Sequence, residues 1–263
     1  MSAWLLYLAI GAFAGLLAGM FGVGGGLVIV PMLTFIFTSQ GLPAAHILHL
    51  ALGTSLASIM FTSLSSVRAH HERGAVNWQV VRRITPGIMI GTFVGSCVAA
   101  QLSTGFLKVF FVVFQYYVAA QLLLDIKPKA HRQLPGTAAM FGVGSLIGGI
   151  SSLVGIGGGT MSVPFMIWCN AAMHTAIGTS AAIGFPIAVA GAVGYVVNGL
   201  SMQLPHYSLG FVYLPALLGV AAASILTAPL GAKLAHSLPI PRLKKVFALL
   251  LVVMGTKMLL SLF

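Results

Sequence analysis

Two glycine-rich runs are the part of this chain whose spacing is best suited to ligand chemistry. Residues 22–26 read Gly-Val-Gly-Gly-Gly, residues 155–159 read Gly-Ile-Gly-Gly-Gly, and a proline follows each run after four further residues. Four glycines in five positions predict a break, because each costs a helix about 1 kcal/mol relative to alanine. A helix that restarts after the break presents unpaired N–H groups and the positive end of its dipole. Glycine also lets a ligand approach that backbone closely, so the pattern predicts an anion site without a charged side chain.

The same glycines have a structural alternative. Small residues also allow two membrane helices to cross closely, and this needs no ligand. We favour the binding interpretation because the whole pattern occurs twice in one chain. The candidate substrate-binding glycines are Gly22, Gly24, Gly25, Gly26, Gly155, Gly157, Gly158 and Gly159.

A second duplicated motif adds hydroxyl and imidazole groups. The pattern H-x-A-[LI]-G-T-S occupies residues 49–55 and again residues 174–180. Its hydroxyl groups are candidate substrate-binding donors to an oxyanion, although a hydroxyl in a membrane helix also bonds readily to its own helix. Its histidines are candidate proton carriers or donors. Alternatively they are interfacial residues near the start of a span, since no acid lies nearby to orient them. These candidates are Thr54, Ser55, Thr179 and Ser180, together with His49 and His174.

The composition places these motifs in a membrane protein. Hydrophobic residues make up 59% of the chain and charged residues only 6%, whereas a soluble domain carries about 25% charged residues. Residues 1–67 and 133–232 contain no Asp, Glu, Lys or Arg. The net charge of +11 is therefore explained by basic residues in loops, and we expect no nucleic-acid partner.

The predicted spans contain no acidic residue, and the sequence contains no recognisable catalytic motif. Both observations limit the possible functions. The two acidic residues, Glu72 and Asp125, lie in short polar stretches outside the predicted spans. Cation transporters and proton pumps usually carry carboxylates within the membrane, so the pattern favours an anionic substrate. No nucleotide-binding loop or nucleophile–base pattern is present, so we expect no enzyme activity. Cys97 and Cys169 match no metal or redox spacing, and we expect neither a metal nor a cofactor.

The duplicated motifs divide the chain into two homologous halves. The predicted units are a first transmembrane repeat at 1–125, a cytoplasmic linker at 126–135 and a second repeat at 136–263. Each half opens with a long apolar segment, 3–38 or 137–170. The first would reach about 54 Å as one helix, but the hydrocarbon layer is only about 30 Å thick. We therefore predict an all-α polytopic membrane protein in which each long segment is a helical hairpin that turns at its glycines. Three transmembrane helices follow in each half, at 44–67, 84–102 and 105–124, and at 173–197, 209–232 and 246–262.

Basic residues predict how these segments cross the membrane. If each hairpin is re-entrant or crosses an even number of times, only Lys108 and Lys257 lie away from the basic side. The residues that share that side are Arg68, Arg73, Arg82, Arg83, Lys127, Lys129, Arg132, Lys233, Arg242, Lys244 and Lys245. If each long segment crosses once, the last four of these move to the other side. The positive-inside rule favours the first layout, which makes the halves inverted repeats, and a parallel layout is the alternative.

The motifs carry a family resemblance. The sequence resembles the TauE/SafE family of membrane permeases. The resemblance lies in the run from Ala14 to Pro31, the similar run from Gly148 to Pro164 and the two motifs that begin with histidine. The resemblance covers nearly the whole chain, including its length and its duplication. It implies export, or in some members uptake, of sulfite, sulfonates or related small oxyanions. It chooses no single substrate and implies no firm set of binding residues.

These observations predict a multi-pass protein of the inner (plasma) membrane that acts as a secondary transporter of a small anion. Sulfite, an organosulfonate or a related sulfur or organic oxyanion would bind at the two glycine breaks near the midplane, and alternating access would move it. The expected partners are the anion and the lipid bilayer, and small exposed residues permit a homodimer. The alternatives are an anion channel with the same site, or a membrane protein that handles sulfur compounds through Cys97 or Cys169.

Overall fold

The computed structural model describes residues 3–124, 133–237 and 240–261. This part of the chain forms ten helices and one two-stranded hairpin. The first half contains α1 (Ala3–Phe21), α2 (Gly26–Ser39), α3 (Ile47–His71), α4 (Trp78–Gln101) and α5 (Thr104–Leu123). The second half contains α6 (Thr137–Val154), α7 (Gly159–Trp168), α8 (Met173–Gly199), β1 (Ser208–Leu209), β2 (Val212–Tyr213), α9 (Leu214–Ser237) and α10 (Ile240–Leu260).

Helix length and composition identify a polytopic membrane protein. Seven helices in the described residues, α1, α3, α4, α5, α6, α8 and α9, are long and apolar enough to cross a bilayer. Large apolar side chains also cover the outside of the bundle, and Leu226, Val113 and Val246 are examples with 75%, 63% and 68% of their surface exposed. Such a surface is stable in lipid but not in water.

The two predicted helix breaks are confirmed. Helix α1 ends at Phe21 and α2 begins at Gly26, while α6 ends at Val154 and α7 begins at Gly159. Gly25 and Gly158 immediately precede the second helix of each pair, with φ angles of +78° and +75°. Only glycine adopts this left-handed conformation without strain, so the turns depend on it.

The first hairpin begins and ends at the same end of the bundle. The Tyr7 hydroxyl, near the start of α1, lies 3.0 Å from Nε2 of Gln40, which follows α2. Helix α3 then runs to the other end, where His70 Nε2 lies 3.0 Å from the Gly19 carbonyl oxygen. Helices α3 and α8 are antiparallel neighbours, because Gly184 faces Ser63 whereas Gly191 faces Leu56.

Glycines also set the close packing between the halves. Gly11, Gly15 and Gly19 of α1 lie against Val220, Ser224 and Ala228, so α1 and α9 run parallel. In the same way, Gly144 and Gly148 of α6 lie against Ile84 and Ile88 of α4. A Cβ at Gly19 would overlap the Ala228 carbonyl oxygen, so a larger residue would force these helices apart.

Exposed arginines and lysines gather at one end of the bundle, here called the basic end. It comprises the loop 72–77, the start of α8 and the end of α9. The Asn77 N–H donates to the Thr179 hydroxyl at 2.9 Å, which joins the loop to α8, while Gly19 contacts both His70 and Ala232. The exposed basic residues near this end are Arg68, Arg73, Arg82, Arg83, Lys233 and Lys245. From the predicted basic side, Lys127, Lys129 and Arg132, like Asp125 and most of the linker, lie outside the described residues, as do the side chains of Arg242 and Lys244.

Three helices begin five or six residues away from the predicted start. Helix α4 begins at Trp78 rather than residue 84, because Asn77 Oδ1 accepts the N–H groups of Gln79 and Val80 at 3.1 and 3.2 Å and caps it. Helix α9 begins at Leu214 rather than residue 209, because residues 208–213 form the short β1–β2 hairpin. Helix α10 begins at Ile240, six residues before the predicted span.

Candidate functional site

The two glycine runs meet at the centre of the molecule, and we call residues 22–26 and 155–159 the crossed breaks. The Gly157 N–H donates to the Val23 carbonyl oxygen at 3.3 Å. A Cβ built on Gly24 would lie 3.1 Å from the Gly157 Cα and 3.1 Å from Cγ2 of Ile59. Ile59 is the middle residue of α3, so the crossing lies at mid-height in the bundle.

Two serines of the duplicated motif secure the crossed breaks reciprocally. The Ser55 hydroxyl donates to the Gly155 carbonyl oxygen at 2.8 Å. The Ser180 hydroxyl donates to the Gly22 carbonyl oxygen at 3.1 Å and accepts a bond from the Ser162 hydroxyl at 2.8 Å. Both motif serines are fully buried. Each half therefore satisfies the first carbonyl group of the other half's break.

The two threonines of the motif make a second reciprocal pair of contacts. The Thr54 hydroxyl oxygen accepts the Tyr213 N–H, and the Thr179 hydroxyl oxygen accepts the Asn77 N–H, each at 2.9 Å. Tyr213 belongs to β2 at the end opposite the basic end, whereas Asn77 caps α4 at the basic end. The threonines thus join each central helix to a loop of the other half.

The crossed breaks contain buried backbone N–H groups that donate no hydrogen bond within the described part of the chain. Buried N–H groups almost always have a partner, so a run of them without one indicates a place for water or a ligand. Both runs are at the beginning of a helix, where the dipole favours negative charge. These groups belong to Gly24, Gly25, Gly26 and Leu27 in the first half and to Gly158, Gly159 and Thr160 in the second.

A narrow cavity reaches the crossed breaks. Gly22 and Gly24 form its inner wall, and Ser63 and Ser66 of α3 and Gly184 of α8 are among its other lining residues. Together with open solvent at its mouth, it comprises about 190 Å³ of empty space. The cavity itself is wide enough for about one group of the size of a water molecule. Since Ser63 and Ser66 follow the middle of α3, the cavity lies on the basic-end side of the breaks.

The structure does not bring the two motif histidines to the crossed breaks. His49 is buried, and its Nε2 lies 3.1 Å from the carbonyl oxygens of Ala99 and Leu102, at the end opposite the basic end. Its ring packs 5.1 Å from that of Phe211. His174 is exposed at the beginning of α8, near the basic end. Equivalent positions in the sequence motif thus face opposite ends of the bundle.

The two cysteines also lie near opposite ends. Cys97 accepts a hydrogen bond from Asn198 Nδ2 at 3.3 Å, close to the end of α8. Cys169 follows α7 and precedes the start of α8. The two thiols therefore share no site. No group of three or more His, Cys, Asp or Glu side chains in the described residues is arranged to hold a metal ion.

Sequence reasoning missed several hydroxyl residues next to the crossed breaks, and Ser162 and Ser66 are two of them. Ser162 donates to the motif residue Ser180, and Ser66 lines the cavity with no hydrogen-bond partner for its hydroxyl among the described residues. Ser162 occupies a variable position between Gly159 and Pro164 of the second glycine motif, and Ser66 lies outside both duplicated motifs. For Ser66 the available signal is a cluster of hydroxyl residues in the second half of α3, where Thr62, Ser63, Ser65 and Ser66 lie within five positions.

Comparison with known proteins agrees with this architecture. The profile of the family described as sulfite exporter TauE/SafE matches residues 7–258. A probable membrane transporter protein of Haemophilus influenzae is 40% identical over 260 residues, which cover 98% of each chain. A probable membrane transporter protein of Methanocaldococcus jannaschii is 28% identical and covers 97% of this chain and 95% of its own. No solved structure matches this chain. The extent of the family match, together with the duplicated glycine breaks, shows that the chain is a membrane transporter of the TauE/SafE family.

Proposed function

We propose that the protein is a secondary transporter of a small oxyanion, with the anion bound by backbone N–H groups at the crossed breaks. The observation that carries the proposal is the run of buried N–H groups without acceptors at the start of α2 and α7. Two helix N-termini that meet at mid-height concentrate positive potential beside a cavity whose described lining consists of Ala, Gly and Ser. An anion there would supply the missing acceptors.

The substrate class follows from charge and from the family. The two acidic residues of the chain lie outside the seven candidate spans, so no carboxylate repels an anion along its path. The exposed arginines and lysines at the basic end attract anions toward the bundle. The family that matches is described as a sulfite exporter. We therefore propose sulfite or an organosulfonate as the substrate.

Alternating access is supported by the relation between the halves. The equivalent helices α3 and α8 are antiparallel, and α1 packs on α9 as α6 packs on α4. Ser55 corresponds to Ser180, and Gly22 corresponds to Gly155. The bond from Ser55 to Gly155 therefore has its equivalent in the bond from Ser180 to Gly22. These relations support inverted repeats, in which the two halves exchange conformations around a fixed central site.

The candidate residues divide into two roles in this proposal. The glycines whose N–H groups have no acceptor bind the anion: Gly24, Gly25, Gly26, Gly158 and Gly159. Gly22, Gly155 and Gly157 instead donate their N–H groups to carbonyl oxygens of the protein and shape the breaks. Ser55 and Ser180 hold two break carbonyl groups away from it, because a carbonyl oxygen would repel an anion. Thr54 and Thr179 fasten the helices that carry those serines. His49 and His174 lie at opposite ends, so a proton role for them would act on the path to the site rather than at it.

The proposal also includes a location. The positive-inside rule places the basic end in the cytoplasm, and the protein then lies in the inner (plasma) membrane. The linker at 126–135 would be cytoplasmic as well. The possible homodimer stays a prediction.

The test is ligand-dependent stabilisation of the purified full-length protein. Thermal unfolding is measured with sulfite, isethionate, chloride, sodium and a neutral sugar, since a ligand at a hundred times its Kd stabilises the folded state by about 2.7 kcal/mol. We expect sulfite or isethionate to raise the midpoint selectively. Stabilisation by a cation or by the sugar alone would contradict the proposal.

Proteoliposomes then separate transport from the alternatives. A transporter gives saturable flux that is slow enough to follow by substrate counterflow, whereas a channel gives rapid flux limited by the gradient. A variant with Cys97→Ser and Cys169→Ser keeps full flux if the glycine breaks form the site. Loss of flux in that variant would favour chemistry at a thiol.

A further inference from the structure

The residues that line the cavity beside the crossed breaks are not matched in type at the corresponding positions of the other half, although α3 and α8 carry the same duplicated motif. Position n of α3 corresponds to position n+125 of α8, as Thr54 corresponds to Thr179. On the basic-end side, α8 contributes Ala181 and Gly184 to the cavity wall. On the other side, the corresponding residues of α3 are Leu56 and Ile59, and both are fully buried.

Those larger side chains fill the space that the symmetry of the helices would otherwise leave. A Cβ on Gly191 would lie 2.7 Å from Cδ1 of Leu56, and one on Gly157 would lie 3.4 Å from Cγ2 of Ile59. Beyond them, Phe211 of the β-hairpin is 1% exposed, and its N–H donates to the Tyr195 carbonyl oxygen at 3.1 Å. The route away from the basic end is therefore closed in this conformation.

The two central helices also differ in their hydroxyl groups at the positions that line the cavity. The cavity has two α3 serines in its lining, Ser63 and Ser66, whereas the corresponding α8 residues are Ala188 and Gly191. Ser63 donates to the Met60 carbonyl oxygen at 3.2 Å. The hydroxyl of Ser66, a residue only 2% exposed, has no partner among the described residues. A buried hydroxyl without a partner costs free energy unless a ligand or water completes it.

We propose that Ser66 is a substrate ligand at the inner end of a path that leads from the crossed breaks to the basic end. Its hydroxyl donates to an oxyanion oxygen while the break N–H groups bind the same anion from the other side. The cavity is narrow, so the anion enters when α1 and α8 separate, and Ala181 and Gly184 leave room for that passage. This inference rests on the proposed anion site and adds to it a residue and a direction.

Two serines of α3 provide a matched comparison. In Ser66→Ala the anion loses one donor, whereas Ser65→Ala removes a neighbouring hydroxyl that donates to the Ile225 carbonyl oxygen at 2.8 Å, away from the cavity. Binding of isethionate to the purified full-length protein is measured by thermal shift. We expect the Kd to rise about tenfold or more for Ser66→Ala, since the lost bond is to a charged ligand, and to stay unchanged for Ser65→Ala.

The result distinguishes this inference from the proposed function. If the unsubstituted protein binds isethionate and Ser66→Ala binds it equally well, the role of Ser66 is wrong and the anion site stands. If the unsubstituted protein binds neither isethionate nor sulfite, the proposed function fails, and the role of Ser66 fails with it.

Thiol accessibility tests the path independently of affinity. Ser66→Cys is made in a background with Cys97→Ser and Cys169→Ser, and Ser58→Cys, a position whose native hydroxyl bonds to its own helix, is the control. A membrane-impermeant maleimide should label Ser66→Cys in inside-out vesicles, more slowly with isethionate present, and should leave Ser58→Cys unlabelled. Labelling of Ser66→Cys in intact cells only, or equal labelling of both variants, would overturn the proposed direction.

Discussion

Ser55 and Gly155 belong to different halves of the chain, yet the Ser55 hydroxyl donates a 2.8 Å hydrogen bond to the Gly155 carbonyl oxygen. In the opposite sense, the hydroxyl of Ser180 in the second half donates to the carbonyl oxygen of Gly22 in the first half. Each half thus stabilises the irregular backbone of the other at the point where a membrane protein can least tolerate unpaired polar groups. In one half alone, the first carbonyl group of the break would lack this partner.

Removal of either hydroxyl should therefore damage both stability and transport. In Ser55→Ala or Ser180→Ala a buried carbonyl group loses its partner, which costs about 1–3 kcal/mol. The control is Ser58→Ala, because the Ser58 hydroxyl bonds only to the Thr54 carbonyl oxygen of its own helix. Thermal unfolding and isethionate flux in proteoliposomes measure the two effects. Equal behaviour of Ser55→Ala and Ser58→Ala would show that the bond between the halves contributes nothing.

Gly157 offers the cleanest test of the crossing itself. Gly25 and Gly158 have positive φ angles, so any side chain there strains the backbone whether or not a ligand binds. Gly157 has no such angle, and a Cβ there would lie 3.3 Å from the Gly24 Cα. We expect Gly157→Ala to fold, with α2 and α7 held slightly further apart and flux strongly reduced.

The matched control for this variant is Gly149→Ala in α6. A Cβ on Gly149 would lie 3.6 Å from the Gly91 carbonyl oxygen, which is an ordinary contact. Alanine in a helix should leave stability unchanged or raise it by about 0.4–1 kcal/mol. Full flux in Gly157→Ala, with a normal unfolding midpoint, would return the glycines to a purely structural role.

The helix breaks and the hairpins could be predicted from the sequence because their cause is local. Four glycines in five positions disrupt a helix whatever surrounds them, and the length of the apolar segment requires a turn. The reciprocal bonds could not be predicted, because Ser55 and Gly155 are 100 residues apart and nothing in either motif names its partner. Ser66 could not be predicted either, because the sequence around a serine in a membrane helix is the same whether or not its hydroxyl has a hydrogen-bond partner.

The β1–β2 hairpin shows a different limit. Residues 209–213 are largely apolar, so hydropathy assigns them to a membrane span. In the structure Phe211 packs among His46, His49 and Tyr195. An apolar sequence is expected both for a segment buried within the protein and for a segment exposed to lipid. Only the tertiary contacts distinguish the two.

Thr54→Val separates a binding role from a fastening role. Valine preserves the shape of threonine, but the Tyr213 N–H loses its acceptor. We expect the free energy of unfolding to fall by about 1–3 kcal/mol while the Kd for isethionate stays unchanged. Thr85→Val is the control, because the Thr85 hydroxyl bonds to the Val81 carbonyl oxygen of its own helix. A weaker Kd with an unchanged unfolding midpoint would instead make Thr54 a direct ligand.

Two exposed positions decide between inverted and parallel halves. Glu72 lies at the basic end, and Gln203 lies in the loop after α8 at the opposite end. If each hairpin returns to the side where it began, these positions face opposite sides of the membrane. If each long apolar segment crosses once, they face the same side. Their exposure makes either substitution harmless to the fold, since the Arg68–Glu72 ion pair is exposed and such pairs contribute little.

Cysteine labelling in intact cells provides the measurement. Glu72→Cys and Gln203→Cys are made separately in a background with Cys97→Ser and Cys169→Ser, and a membrane-impermeant maleimide is added before or after permeabilisation. We expect Gln203→Cys to react in intact cells and Glu72→Cys to react only after permeabilisation, because the positive-inside rule places the basic end in the cytoplasm. If both positions react in intact cells, or neither does, the halves are parallel, and exchange of their conformations could not expose one central site to alternate sides.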